Sequence, residues 1–198
     1  MRPLQLQKRT MALAGVFMTA YLVFHMFSNL SFFSPSSFTR FYELYNSGPL
    51  RWIVLVAMII AIAIHVKMAI KIRRINAQAR TVGYEKHDKF KIPAPLVTLS
   101  IIFLLSFIVI HIIQTLLFDT SQLYGELTQF FQSPLMLLFY LAGLFVLTMH
   151  LQHSIANVLQ TLGKTSVIYH RLVWVGVLSL TGGFASIPLY IYLGSALV

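Results

Sequence analysis

Hydrophobic positions along this chain gather into long blocks separated by short polar stretches. Five blocks stand out, at about 10–31, 50–72, 94–118, 134–161 and 169–195. About 20 consecutive apolar residues carry a helix across the hydrocarbon of a bilayer, so each block predicts one transmembrane helix. The breaks between them carry ordinary boundary signals. SFFSPSS follows the first block, Ser47-Gly48-Pro49 precedes the second, and Pro93 and Pro95 open the third. Ser133-Pro134 opens the fourth and Leu162-Gly163-Lys164 closes it. Pro188, inside the fifth block, predicts a bend that neighbouring helices make tolerable by covering the freed carbonyl. No tandem repeat or low-complexity tract interrupts the pattern.

Composition agrees. With 58% hydrophobic and 10% charged residues and a mean hydropathy of +0.78, the chain lies far from a soluble domain and reads as an integral membrane protein. Five spans use most of its 198 residues, so the expectation is an all-α membrane protein, a single bundle of five transmembrane helices with little outside the bilayer. The basic start MRPLQLQKR runs into the first apolar block without an A-x-A-like stop, which predicts that this block is retained as a helix. There is no cysteine, hence neither a disulfide nor a thiolate ligand for zinc or an iron-sulfur cluster. Any redox chemistry on this chain must rest on histidine.

Charge sets the expected orientation, because Lys and Arg are retained on the cytoplasmic side. One side holds Arg2, Lys8 and Arg9, then Arg73, Arg74, Arg80, Lys86, Lys89 and Lys91 in RRINAQARTVGYEKHDKFK, then Lys164 and Arg171. The other has Arg40 and Arg51, with the acidic Glu43, Asp119 and Glu126. The N-terminus is therefore expected in the cytoplasm and the C-terminus outside. The long basic loop serves as this orientation signal and also suits a docking surface for a soluble partner or anionic lipid. No nucleic-acid partner is expected.

An imidazole at bilayer depth needs a partner, since its ring nitrogens would otherwise lack hydrogen bonds in hydrocarbon. Four of the seven histidines fall one to a span: His25, His65, His111 and His150, separated by 40, 46 and 39 residues. With spans alternating in direction and about 1.5 Å of rise per residue, His25 and His111 reach the outer half, and His65 and His150 the inner half. Three explanations compete. The histidines could simply hydrogen-bond across the bundle; they could relay protons or metal ions, a task that calls for intramembrane carboxylates, of which the blocks have none; or each pair could hold the iron of a haem. Bis-imidazole iron has no open axial position, so such haems transfer electrons and do not bind oxygen. Small residues near a ligand suit a flat porphyrin, and Ala61 and Ala69 flank His65 while Gly143 lies seven residues before His150.

His153 sits three residues beyond His150, about 60° around the helix and about 4.5 Å along it, so one haem face cannot use both. The iron is assigned to His150, which matches the depth of His65. His153 and Asn157 would point toward the edge of the inner haem, where propionates need donors. His87 and His170 read as surface residues.

These residues resemble a known family. KRTMALAGVFMTAYLVFHMFSNLSFF is similar to the first helix of the five-helix, two-haem cytochrome b subunits of succinate:quinone oxidoreductases and fumarate reductases, with the approximate pattern K-R-x-x-A-L-x-G-x-F-x-x-x-x-L-x-x-H-x-x-x-N. ARTVGY resembles that family's A-R-P-x-x-Y, and HLQHSIANVLQTLG, from His150 to Gly163, its H-L-x-H-G-x-x-x-x-x-Q-T-L-G. The resemblance implies His65 and His150 as ligands of the haem nearer the soluble subunits and His25 and His111 as ligands of the farther one. It further implies a flavoprotein and an iron-sulfur subunit docked on the cytoplasmic face, a bacterial cytoplasmic membrane, and a quinone, menaquinone, as substrate near the outer surface. Ser28, Asn29, Arg40, Glu43 and Gln114 fall in that outer zone, and Glu43 is the preferred proton carrier.

The chain departs from the family at three places. Ser154 stands where glycine follows the second histidine, Ser28 where glycine often precedes the asparagine, and Thr148 where some fumarate reductases carry a proton-conducting glutamate. The last favours succinate oxidation, a succinate dehydrogenase anchor, over fumarate reduction. The alternatives are the cytochrome b of another oxidoreductase, such as a formate dehydrogenase or hydrogenase, and a histidine-lined ion carrier.

Overall fold

The computed structural model describes residues 3–78, 94–161, 163 and 166–196. Among these there are helices and no strands. They are α1 (Pro3–Leu30), a 3-10 turn at Ser31–Phe33, α2 (Pro35–Asn46), α3 (Leu50–Gln78), α4 (Ala94–Leu117), α5 (Leu123–Phe131), α6 (Pro134–Thr161) and α7 (Val167–Ala196). Five of them, α1, α3, α4, α6 and α7, are long and apolar enough to cross a membrane. The sidedness residues Arg2, Arg80, Lys86, Lys89, Lys91 and Lys164, the ARTVGY motif, His87 and Pro93 lie outside the described residues.

Exposure points to the same solvent. Leu13, Phe27, Ile53, Leu99, Leu138 and Val175 are each more than half exposed. In water so many exposed large apolar side chains would drive association, whereas in lipid they meet a solvent of their own polarity. The chain is a multi-pass membrane protein.

Two helices extend beyond the expected blocks. The first begins at Pro3 and the second runs to Gln78, because the polar flanks QLQKR and KIRRINAQ are good helix formers that continue the backbone hydrogen bonds of the span. The connections expected to be short polar loops after the first and third blocks contain helices of their own, α2 and α5. Ser34 turns the chain in an extended conformation, and Pro35 follows at the first helical position, where a missing N–H costs nothing. α7 continues through Pro188 to Ala196.

Contacts divide the chain into two compact units, Met1–Phe24 with Gly48–Ile92 and His25–Ser47 with Pro93–Val198. In the first, the N-terminal part of α1 meets α3, and Gly15 brings the α1 backbone against the His65 ring. The second contains the larger core. α6 and α7 pack most extensively, with α7 presenting Val173, Val177, Leu180, Ile187 and Ile191 as a stripe at helical spacing. One end of it is an aromatic cluster, in which Phe32 of the 3-10 turn and Phe38 of α2 are the most deeply buried large side chains, at 2% and 1% exposure. Phe32 stacks on Tyr124 of α5 with centroids 4.5 Å apart, and Phe38 meets Phe32 edge-on at 5.5 Å. These rings anchor α2 and α5 to the ends of the spans.

Candidate functional site

The first unit holds one of the four histidines. His65 lies half-buried on α3, and its Nδ1–H donates to the carbonyl oxygen of Met11 on α1 at 3.2 Å. A carbonyl can only accept, so the proton sits on Nδ1 and the lone pair on Nε2. That tautomer is the one a metal-binding imidazole adopts when its other nitrogen is held by an outer partner. Gly15 packs beside the ring, where a Cβ would sit in ordinary contact, 3.5 Å from His65 Cε1.

In the second unit His25 and His111 meet. Their ring centroids are 6.0 Å apart with planes inclined at 62°. Two iron–nitrogen bonds of about 2 Å, with the half-width of each ring, call for centroids about 6 Å apart, so the pair has the spacing that two axial ligands of one iron require. His111 is further oriented. Its Nδ1 lies 3.2 Å from the Tyr140 hydroxyl, and that hydroxyl donates to Gln114 Oε1 at 2.9 Å. Phe107 stacks on the His111 ring at 6.2 Å and 15°, and Phe184 leans on His25 at 5.5 Å. Asn29, one turn beyond His25, brings its Nδ2 to 3.4 Å from His25 Nε2, the nitrogen an iron would bond. This long contact must yield for ligation.

In spacing, His25 and His111 are compatible with a haem iron between them. Among the described residues there is no cluster of three or more His, Asp or Glu side chains for a bare metal ion. A porphyrin supplies four of the six iron ligands itself, so two facing imidazoles are the protein's whole requirement.

On α6, His150 is half-buried. His153 is exposed, and Asn157 Nδ2 donates to its Nε2 at 2.9 Å. His153 therefore carries its proton on Nδ1. Thr148 is buried and donates to the Leu144 carbonyl at 2.7 Å, a bond within its own helix. The space beside Gly143 is filled by the Phe107 ring, so this glycine serves packing of α6 against α4 and offers no room next to His150.

The outer-zone residues separate by location. A cavity of about 180 Å³ opens between α2 and α5, lined by Phe38, Tyr42 and Glu43 on one side and Thr120, Gln122 and Tyr124 on the other. Of the five residues expected there, Glu43 lines the cavity. Asn29 lies behind it, accepting from the Tyr42 hydroxyl at 2.6 Å. Burial pushes the Tyr42 phenol up to about 12, so it remains a neutral donor at any working pH. Ser28 donates to the His25 carbonyl at 2.9 Å. Arg40 is exposed on α2, and Gln114 turns toward Tyr140.

Tyr42, Tyr140, Phe107, Gly15 and the Met11 carbonyl have no place in the residue-by-residue expectations. Spacing holds a trace of one of them: Tyr140 precedes Gly143 by three residues, an interval that shares a helix face. Compared with family models, characterised proteins and solved structures, the chain gave no match.

Proposed function

We propose that this chain is the membrane-anchor cytochrome b of a succinate dehydrogenase, a succinate:menaquinone oxidoreductase. The observation that carries the reading is the His25–His111 pair, two imidazoles 6.0 Å apart with His111 turned by Tyr140. His25 and His111 would hold the outer of two b haems. His65 and His150, matched in depth along the sequence, would hold the inner one, and the tautomer of His65 suits that task. When bound, such haems supply one-electron transfer across the membrane dielectric, between an iron-sulfur subunit on the cytoplasmic face and quinone near the outer surface.

The chain's own residues do the rest. His153, its Nε2 held by Asn157, would turn its Nδ1–H to the inner haem's carboxylates. Glu43 stands at the mouth of the α2–α5 cavity, exposed to the outer medium, where it exchanges protons with the quinone oxygen while Tyr42 stays protonated deeper in. The Lys and Arg residues near the N-terminus and after α3 in the sequence support an N-terminus in the cytoplasm of a bacterium and suit docking of a flavoprotein and an iron-sulfur partner on that side.

A reduced-minus-oxidised spectrum of the purified complex tests this directly. Two b-type haems per complex are expected, with His65→Ala removing the inner signal and His25→Ala the outer one. A complex without haem, or a chain that purifies alone and moves an ion in liposomes, would overturn the assignment.

A further inference from the structure

Four residues from two helices form a chain of hydrogen bonds whose direction is determined at each link. Met136 and Tyr140 stand one turn apart on α6, and His111 and Gln114 one turn apart on α4. The thioether of Met136 can only accept, so the amide nitrogen of Gln114 faces it, at 3.7 Å. The amide oxygen then faces Tyr140 and takes the single phenolic proton at 2.9 Å. With its proton committed, the Tyr140 oxygen can only accept from His111, at 3.2 Å. The proton of His111 is therefore on Nδ1, and its lone pair is on Nε2.

The Tyr140 ring is held for this purpose. It is 9% exposed and is met edge-on by Phe131 at 4.9 Å, Phe107 at 5.4 Å, Phe130 at 5.6 Å and Phe139 at 5.9 Å. Four rings at these angles leave the phenol one orientation, with its oxygen toward α4. A ring serving only as core would need neither an O–H nor a directional acceptor, and phenylalanine would fill the same space. The polar atom costs desolvation, which the chain from Gln114 to His111 offsets.

We propose that Tyr140, aligned by Gln114, is a positioning residue for His111: it selects the Nδ1–H tautomer and, by accepting that proton's hydrogen bond, makes Nε2 a stronger electron donor to the outer iron. This rests on the haem reading above. A more basic axial imidazole favours ferric over ferrous iron, so the hydroxyl lowers the midpoint potential of the outer haem.

The test uses the purified complex. Wild type is first assayed for haem; none at all would sink the haem reading itself. With two haems present, Tyr140→Phe keeps the ring and its four neighbours and removes only the oxygen. Expected are two retained haems, an upward shift of the outer midpoint by about tenfold in the reduced-to-oxidised ratio at fixed potential, about 59 mV for one electron, and an unmoved inner midpoint. The low-spin ferric resonance of the outer haem should change with it. Gln114→Leu, which leaves the phenol in place without its acceptor, should move the same midpoint in the same direction by less. Two unshifted midpoints and an unchanged resonance in Tyr140→Phe, or equal shifts of both haems, would overturn the role given to Tyr140 while leaving the haem reading intact.

Discussion

Replacing Gly143 with alanine adds one methyl group at the most crowded point of the second unit. A Cβ there would lie 2.4 Å from Cε2 of Phe107, 2.5 Å from Cδ2 and 2.7 Å from Cγ. Carbon atoms settle about 3.5–4.0 Å apart, so the overlap is about 1 Å across one edge of the ring. The ring cannot swing aside at its tip alone, because Cγ, its root, is among the atoms struck. Phe139 and Tyr140, each with its centroid 5.4 Å away, and His111, stacked at 6.2 Å, close off its other sides. Overpacking of this kind costs about 1–3 kcal/mol. Relief from glycine's poor helix propensity returns about 1 kcal/mol, leaving Gly143→Ala less stable by up to about 2 kcal/mol.

Gly183 supplies the control within the same unit. A Cβ there would lie 2.7 Å from Met26 Sδ and 2.9 Å from its Cγ, but an unbranched thioether can turn away. Gly183→Ala should therefore change stability by less than about 1 kcal/mol. Reversible unfolding in mixed micelles, followed by helical circular dichroism, measures both. Phe107→Leu should recover part of the loss in the Gly143→Ala background, a coupling expected of side chains in contact. Equal stability of the two alanine variants would refute the steric argument, as would a Gly143→Ala loss that Phe107→Leu leaves untouched.

Phe38→Ala, at a site 1% exposed and in ring contact with Phe32, Tyr42 and Tyr124, should cost about 3–5 kcal/mol in the same unfolding assay. Glu43→Gln should slow quinone reduction by the complex while the haem spectrum keeps its full amplitude; undiminished turnover would remove Glu43 from the mechanism. Ser121 donates to Asp119 Oδ1 from its hydroxyl at 2.7 Å and its backbone N–H at 2.9 Å, which hold the Asp119 carboxyl below its ordinary value. A depressed folded pKa contributes stability above the unfolded value and loses it as pH falls through the folded one, so Ser121→Ala should raise the Asp119 titration seen by carboxyl-carbon NMR and start that loss at higher pH. An unmoved titration would mean that the side-chain bond does not persist in solution.

The sequence by itself determined the number and placement of the spans, because a bilayer forces every spanning segment to satisfy its own backbone and wear an apolar surface, and both demands are written locally. It likewise set one histidine on each of four spans. Tertiary structure decided what each imidazole does with its two nitrogens. Met11 faces His65 with a carbonyl 54 positions away in the chain, and Tyr140 faces His111 with a hydroxyl 29 away. No periodicity or composition records such meetings, since a hydrogen-bond partner is chosen by which helix faces adjoin. The same holds for Gly143, whose position suggested space beside His150 and whose neighbour is Phe107. It holds also for the stretches around α2 and α5, read as loops from their polarity and folded into helices because Phe32, Phe38 and Phe131 bury themselves against the ends of the spans. Locally encoded solvation fixes where a chain crosses a membrane; contact between distant side chains fixes what it can hold there.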